Sequence, residues 1–300
     1  MTTVIEISKL GEILRKESLP MKARNRALFG LRAVTDIELS KLAIQEINST
    51  FKDNSALLKH ECAYCLGQMT SRNAVPLLID VLHDVGQEVI VRHEAGEALG
   101  AIGDPTAIEH LQKHITDTSK PLSETCIIAI DRINFYQKQK TEKIEFKDNN
   151  PFLSVDPAPP WLEGNCEKWR ETLLDANQTL FDRYRSLFSL RNEGTDSCVL
   201  AICEAFNDKS ILLRHEIAYV LGQLQNKLSI PALQSHLSDL TENYMVRHES
   251  AEALGSIADL QCREILTAYL QDSDQCVRES CEVALDISDY VTSGELSYAN

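Results

Sequence analysis

The sequence predicts an all-α protein: a solenoid of eight helical hairpins in two duplicated halves that face each other. Two observations carry this. LLKHECAYCLGQM at 57–69 returns as LLRHEIAYVLGQL at 212–224, and VRHEAGEALGAIGD at 91–104 returns as VRHESAEALGSIAD at 246–259, both at an offset of 155 residues. Within each half the matching units succeed each other at about 31 to 35 residues, the length of a helix pair that packs only on its neighbours.

The outer units are more decayed. LSETCIIAID (122–131) corresponds to VRESCEVALD (277–286) at the same offset, and RNRALFGLR (24–32) resembles RYRSLFSLR (183–191) at a slightly larger one, so each half carries four units. In 55–69, Leu58, Cys62, Cys65, Leu66 and Met69 recur at the spacing of an amphipathic helix. AVPLLIDVLHD (74–84) and SIPALQSHLSD (229–239) give partner helices, with Pro76 and Pro231 near the start, where a missing N–H costs little. Alternating helices of this period form a HEAT-like α-solenoid. The N-terminal half is predicted over 1–133 and the C-terminal half over 166–287. Residues 134–165 hold four of the nine prolines, including the run DPAPP, and read as an extended linker; 288–300 reads as a frayed tail.

Composition narrows the class. Of 300 residues, 43% are hydrophobic and 25% charged, an ordinary globular balance, and no apolar run is long enough to span a bilayer. The N-terminus lacks a secretory h-region and the nine cysteines are scattered, so the expectation is a cytoplasmic protein with reduced thiols. A net charge of −15 argues against a nucleic-acid partner and suits a basic or polyamine-like one.

Four His-Glu dipeptides sit on the repeat: His60-Glu61, His93-Glu94, His215-Glu216 and His248-Glu249, with 33 residues between the histidines of each half. The third copy in each half carries Glu124 or Glu279 at the histidine position, so the dipeptides are confined to two central hairpins per half. Equivalent faces of stacked helices allow two imidazoles and one or two carboxylates to converge. Two neutral imidazoles plus a carboxylate suit non-haem iron, with zinc possible, and eight candidate ligands exceed the needs of one ion. Two ions, each with two His and one Glu, leave two Glu for supporting, bridging or substrate roles.

The surroundings repeat too. An apolar residue lies three before each histidine (Leu57, Ile90, Leu212, Met245) and a small one three after (Ala63, Gly96, Ala218, Ala251), on the same helical face. A glycine lies seven after each (Gly67, Gly100, Gly222, Gly255), which implies close packing or a helix C-terminal cap, because glycine inside a helix costs about 1 kcal/mol against alanine. Glu97 and Glu252 are placed either to orient an imidazole or as exposed charges. His83, His110, His114 and His236 lack the pattern and read as surface or loop residues. The CxxC formed by Cys62 and Cys65 reads as core packing, because the other half has Ile217 and Val220 there.

The two HExAYxLGQ segments, the two VRHExxEALG segments, the 33-residue spacing and the duplication closely resemble the deoxyhypusine hydroxylase family over nearly the whole chain. That resemblance implies a di-iron monooxygenase that hydroxylates the deoxyhypusine side chain of eukaryotic translation initiation factor five A to hypusine, using molecular oxygen and a reductant. It implies that His60, His93 and Glu94 hold one iron, and that His215, His248 and Glu249 hold the other. Glu61 and Glu216 then lie beside the metals as further ligands or catalytic groups, binding the substrate amine or holding bridging oxygen. An acidic cleft between the halves suits the cationic aminobutyl-lysine arm. The competing readings are a non-catalytic HEAT-repeat scaffold and a phycobilin-lyase-like repeat protein; neither accounts for four dipeptides restricted to central hairpins.

Overall fold

The computed structural model describes residues 3–143 and 149–293, and among these every regular element is helical. The chain divides into two compact units, with the division between Tyr136 and Gln137.

The first unit contains α1 (Val4–Arg15), α2 (Met21–Arg32), α3 (Ile37–Asn48), α4 (Ala56–Gln68), α5 (Val75–His83), α6 (Val89–Ile102) and α7 (Ile108–Leu111), and most of α8 (Lys120–Glu142). The second contains α9 (Cys166–Leu174), α10 (Leu180–Glu193), α11 (Asp196–Ala205), α12 (Ile211–Leu224), α13 (Ile230–Ser238), α14 (Tyr244–Ile257), α15 (Leu260–Ala268) and α16 (Gln275–Ser293). Helices α1, α3, α5, α9, α11, α13 and α15 each pair with the even helix that follows as a hairpin, and the even helices pack side by side: α2 on α4 and α4 on α6 in the first unit, α10 on α12, α12 on α14 and α14 on α16 in the second. This is the solenoid of hairpins that the 155-residue duplication predicts.

Local chemistry sets the helix ends. Ser55 and Ser210 start α4 and α12 by accepting hydrogen bonds from the Leu58 and Leu213 amides, and Asn243 starts α14 by accepting from the Met245 amide. Pro76 and Pro231 stand in the first turns of α5 and α13, as the sequence indicates. The four helices that carry the dipeptides, α4, α6, α12 and α14, show little amphipathic contrast because they are covered on several sides: ten of the thirteen residues of α4 are buried, including Lys59, His60 and Glu61.

A repeated arginine, not singled out in the sequence, ties each hairpin together. Arg24, Arg92, Arg183 and Arg247 are buried, and each donates its Nε to a carbonyl ten residues earlier: Leu14, Leu82, Leu173 and Leu237. Each guanidinium also meets a carboxylate: Asp53, Asp117 at 3.7 Å, Asp208 at 2.6 Å and Asp272 at 2.5 Å, respectively. The arginine thereby fixes the start of an even helix to the end of the odd helix before it.

The four repeated glycines are sites of close packing, since all four lie within helices. A Cβ on Gly67 would stand 2.8 Å from the Ala98 Cα, and one on Gly222 would stand 2.9 Å from the Ala253 Cα. Gly100 faces Ala129 in the same way, and Gly255 faces Ala284. Left-handed residues close several of these helices instead: Gly103 (φ 71°), Gln225 (φ 50°) and Ala258 (φ 56°).

The proline run is docked rather than bare. Residues 156–160 are buried, Arg191 grips Asp156 at 2.6 Å, Arg185 Nε donates to the Pro159 carbonyl at 3.0 Å, and the Trp161 amide donates to Ser189 at 2.8 Å. Residues 144–148 of the stretch 134–165 and residues 294–300 of the stretch 288–300 lie outside the described residues, and α16 continues past Ser288 to Ser293.

Gly100→Ala tests the glycine seam. A Cβ there would meet the Ala129 Cβ at 2.8 Å. With the Ala129 Cβ and Cα both under 3.0 Å, the overpacking cost falls in the upper part of its usual range, about 2–3 kcal/mol, and outweighs the ~1 kcal/mol that alanine gains in helix propensity. Urea unfolding is expected to show a net loss of about 1–2 kcal/mol; unchanged or raised stability would contradict the close approach.

Candidate metal centre

All eight residues of the four dipeptides are buried, none more than 6% exposed. That rules out solvated helix edges. Burying imidazoles and carboxylates together has a large desolvation cost, so each must be answered by another group.

In the first unit, α4 carries His60 and Glu61 while α6 carries His93 and Glu94. Glu94 Oε2 lies 3.2 Å from His60 Nε2 and 3.8 Å from His93 Nε2, and the two imidazole rings stack with centroids 5.7 Å apart. One ligand atom from each of His60, His93 and Glu94 lies within 4.8 Å of the others, so this group could hold a metal ion. Glu61 reaches the other nitrogen of His60, with Oε1 3.1 Å from Nδ1. Burial alone would lower the His60 pKa, but Glu94 and Glu61 outweigh it and hold it well above the ordinary imidazole value.

The second unit repeats the arrangement. Glu249 Oε2 lies 3.5 Å from His215 Nε2 and 3.9 Å from His248 Nε2, with ring centroids 5.3 Å apart. Glu216 is buried one residue after His215 on α12.

The carboxylate that meets a histidine's Nε2 across the hairpin boundary belongs to the next even helix: Glu94 on α6 answers His60 on α4, and Glu249 on α14 answers His215 on α12. The same rule locates two residues that the sequence reading passes over. Thr125 on α8 has its Oγ1 3.3 Å from His93 Nδ1 and donates to the Pro121 carbonyl at 2.9 Å. Ser280 on α16 has its Oγ 3.4 Å from His248 Nδ1 and donates to Glu252 at 3.1 Å. Thr125 and Ser280 follow Glu124 and Glu279, so they occupy the dipeptide's Glu position in the third copy; that register was the available signal. Of the two proposed orienting glutamates, Glu252 stands 3.6 Å from His248 Nδ1, while Glu97 is half-buried.

The residues around the dipeptides exclude water. Leu57, Ile90, Leu212 and Met245 are no more than 1% exposed, and Ala63, Ala218 and Ala251 are fully buried. Cys62 and Cys65 are also fully buried, and burial pushes both thiols well above their ordinary value, which leaves them as packing. The residue before each histidine anchors the backbone: Lys59 pairs with Glu88 at 2.6 Å and Arg214 with Glu242 at 2.6 Å, while Arg92 and Arg247 belong to the repeated clamp.

Comparison with known proteins follows the same lines. A family profile for HEAT repeats matches residues 44–131 and 199–286. The chain is 48% identical over 300 residues to the deoxyhypusine hydroxylase of Bos taurus, covering 100% of this chain and 97% of that protein. It is 47% identical over 301 residues to the deoxyhypusine hydroxylase of Drosophila melanogaster, with the same coverage. The solved structure of human deoxyhypusine hydroxylase in complex with glycerol superposes with a TM-score of 0.90 at 48% identity, covering 95% of this chain and 96% of that one.

Glu242 gives a pH test of the anchor beside His215. Burial alone would raise its carboxyl, but hydrogen bonds from His236, Arg214 and the Asn243 amide outweigh it and bring the pKa down to about 2 from 4.5. A depressed folded pKa contributes stability that is full above about 4.5 and is lost as pH falls through about 2. Glu242→Gln is therefore expected to be less stable than the native chain at pH 7 in urea unfolding, with the gap narrowing below pH 4.5. A gap that does not change with pH would contradict this.

Proposed function

We infer the function from one premise: the chain belongs to the deoxyhypusine hydroxylase family. It is a monooxygenase that converts the deoxyhypusine side chain to hypusine. We further propose that its protein substrate is eukaryotic translation initiation factor five A in the deoxyhypusine form, and that it uses two irons, molecular oxygen and an external reductant. The observation that supports the metal assignment is the placement of one carboxylate oxygen beside two imidazole Nε2 atoms, made at Glu94 and repeated at Glu249.

The donor set fits iron. Two imidazoles and one carboxylate, all buried and within 4.8 Å in the first unit, match a non-haem iron ligand set with positions left open. On this reading His60, His93 and Glu94 hold one iron, and His215, His248 and Glu249 hold the other. When bound, the irons supply activation of molecular oxygen. In the overall reaction one oxygen atom becomes the new hydroxyl and the other leaves as water, consuming two electrons and two protons from the reductant.

The remaining steps fall to the protein's own groups. Buried apolar residues three before each histidine, Leu57 and Ile90 in the first unit and Leu212 and Met245 in the second, keep bulk water from the ligand set of their own unit. Glu61 holds His60 by its Nδ1, and Thr125 and Ser280 do so for His93 and His248, which fixes each imidazole's orientation. Glu61 and Glu216 are our candidates for further ligands and for binding the cationic amine. The net charge of −15 favours approach of a cationic side chain. We assign each ligand triad to its own half, 1–133 and 166–287, joined by 134–165 and followed by the tail 288–300. We place the activity in the cytoplasm, where the nine free thiols stay reduced.

Turnover tests the reading. Iron-loaded protein incubated with the deoxyhypusine-bearing factor, oxygen and reductant is expected to add one oxygen atom to the substrate by mass; no product would overturn the enzyme assignment. Iron analysis separates the roles. His60→Ala and Glu249→Ala are expected to lose iron, whereas Glu216→Ala keeps more of it and loses about 100-fold in turnover through misplaced substrate. Equal iron retention in all three variants would contradict the ligand roles. Thr125→Val keeps the shape and removes the hydroxyl beside His93, and is expected to weaken metal affinity about 10–100-fold; native affinity in this variant would show that Thr125 does not support the ligand.

A further inference from the structure

Two positions on an even helix face the even helix before it. On α6 they are Glu94, which meets His60, and Ala98, which meets Gly67. On α14 they are Glu249 and Ala253, against His215 and Gly222. Counted from the clamp arginines Arg92 and Arg247, these positions stand two and six residues on. On α10, counted from Arg183, the same two positions are Arg185 and Ser189. Both are taken by the strap of residues 154–161. Arg185 donates to the Pro159 carbonyl at 3.0 Å and to the Pro160 carbonyl at 3.4 Å, and its guanidinium lies over the Trp161 ring, 3.5 Å from the centroid. Ser189 accepts from the Trp161 amide at 2.8 Å, and the Trp161 indole donates to Ser186 at 3.1 Å. The strap thus holds on α10 the place that a preceding even helix holds on α6 and α14. A stack of hairpins needs a cap of this kind where its repeats begin. Proline suits the task, because an extended proline run brings few backbone N–H groups that burial would leave unmet.

The strap also reaches past α10. Arg191 stands eight residues after Arg183, at the place that glycine takes in Gly100 and Gly255. It is buried, and its fork binds both oxygens of Asp156, at 2.9 Å and 2.6 Å. The same guanidinium donates to Gln223 Oε1 on α12 at 2.8 Å. Gln223 in turn donates to Ser154 of the strap and to the Tyr219 hydroxyl, both at 3.1 Å. His215, Tyr219 and Gln223 are four residues apart along α12, so they share one face. The counterpart in the first unit, Arg32, is only half-buried and lies over the Phe29 and Tyr64 rings at 5.6 Å.

We propose that the strap is the terminal cap of the second unit and that, through Asp156, Arg191 and Gln223, it positions α12 and with it His215 and Glu216. The buried guanidinium is held only while its charge is met. Without Asp156 it must draw water into the seam between α10 and α12, and the helix that carries His215 is released. The hold on α12 stands on these contacts alone; its consequence for iron rests on the metal assignment proposed above.

Two full-length variants test the strap. Asp156→Asn removes the charge that answers Arg191. Arg185→Ala loosens the strap without stranding a buried charge, since Arg185 is half-buried. Hydrogen exchange of the metal-free chain, read peptide by peptide, is expected to speed up about tenfold on α12 in both variants and to stay native on α4 and α6. In the iron-loaded protein a chelator is expected to remove one iron per chain about tenfold faster than from the native chain, and the other at the native rate. The proposal is overturned if exchange on α12 stays native in both variants, or if α4 and α6 speed up as much as α12. It is equally overturned if both irons, or neither, leave faster. A native chain that holds no iron would sink the metal assignment, and exchange on α12 would still decide the role of the strap.

Discussion

The centre depends on how closely neighbouring even helices approach. In each of four seams a histidine and the glycine seven residues later share one face of a helix. Opposite them, on the next helix, stand a polar residue and the alanine four residues later, again on one face. His60 and Gly67 thus face Glu94 and Ala98; His93 and Gly100 face Thr125 and Ala129. In the second unit His215 and Gly222 face Glu249 and Ala253, and His248 and Gly255 face Ser280 and Ala284. The absence of a side chain at the glycine brings the backbones together, and that proximity carries a short side chain across to an imidazole two turns away. Glutamate is long enough to pass the ring edge and reach Nε2, whereas threonine and serine stop at Nδ1.

The arginine clamp supplies the second constraint. It joins the first turn of the helix after the loop to the last turn of the helix before it, and its carboxylate comes from further along the chain. Arg92 and Arg247 directly precede His93 and His248, so the clamp fixes the turn from which a histidine projects. A buried ion pair of this kind adds little net stability over a well-packed apolar pair, but removing one partner costs about 3–5 kcal/mol because the other charge is stranded. Its role is to set geometry, and two of the four clamps, Arg92 and Arg247, stand on α6 and α14, the helices shared by both glycine seams of their unit.

Most of this was legible in the sequence because repeats report position. The internal offset gave the hairpins, and the 33-residue spacing put four dipeptides on equivalent faces. Glycine at a fixed distance from each histidine pointed to packing or capping, which the sequence could not separate; the structure resolves it because left-handed residues such as Gly103 and Ala258 take the capping role. Thr125 and Ser280 were hidden because their function is carried by register rather than residue type. The hydrogen-bonded row of His110, His83 and His114 was hidden for the opposite reason: it has no counterpart at the repeat offset, and only the fold brings residue 83 to residues 110 and 114. The DPAPP run has the composition of an open linker, and only the placement of Arg191 and Arg185 shows that it is packed.

The charge distribution links the clamp to the centre. The buried guanidinium groups at Arg24, Arg92, Arg183 and Arg247 are committed to aspartates, so they do not neutralise the buried glutamates of the dipeptides. Glu61 and Glu94 instead meet an imidazole, and together they raise the His60 pKa against the opposing effect of burial. Two buried carboxylates facing one imidazole call for positive charge in the first-unit site. On the reading proposed above, a bound metal ion would supply it. Two buried carboxylates would be a liability in a scaffold protein; beside two imidazoles held at fixed spacing by a glycine seam, they are the electrostatic basis for binding a cation.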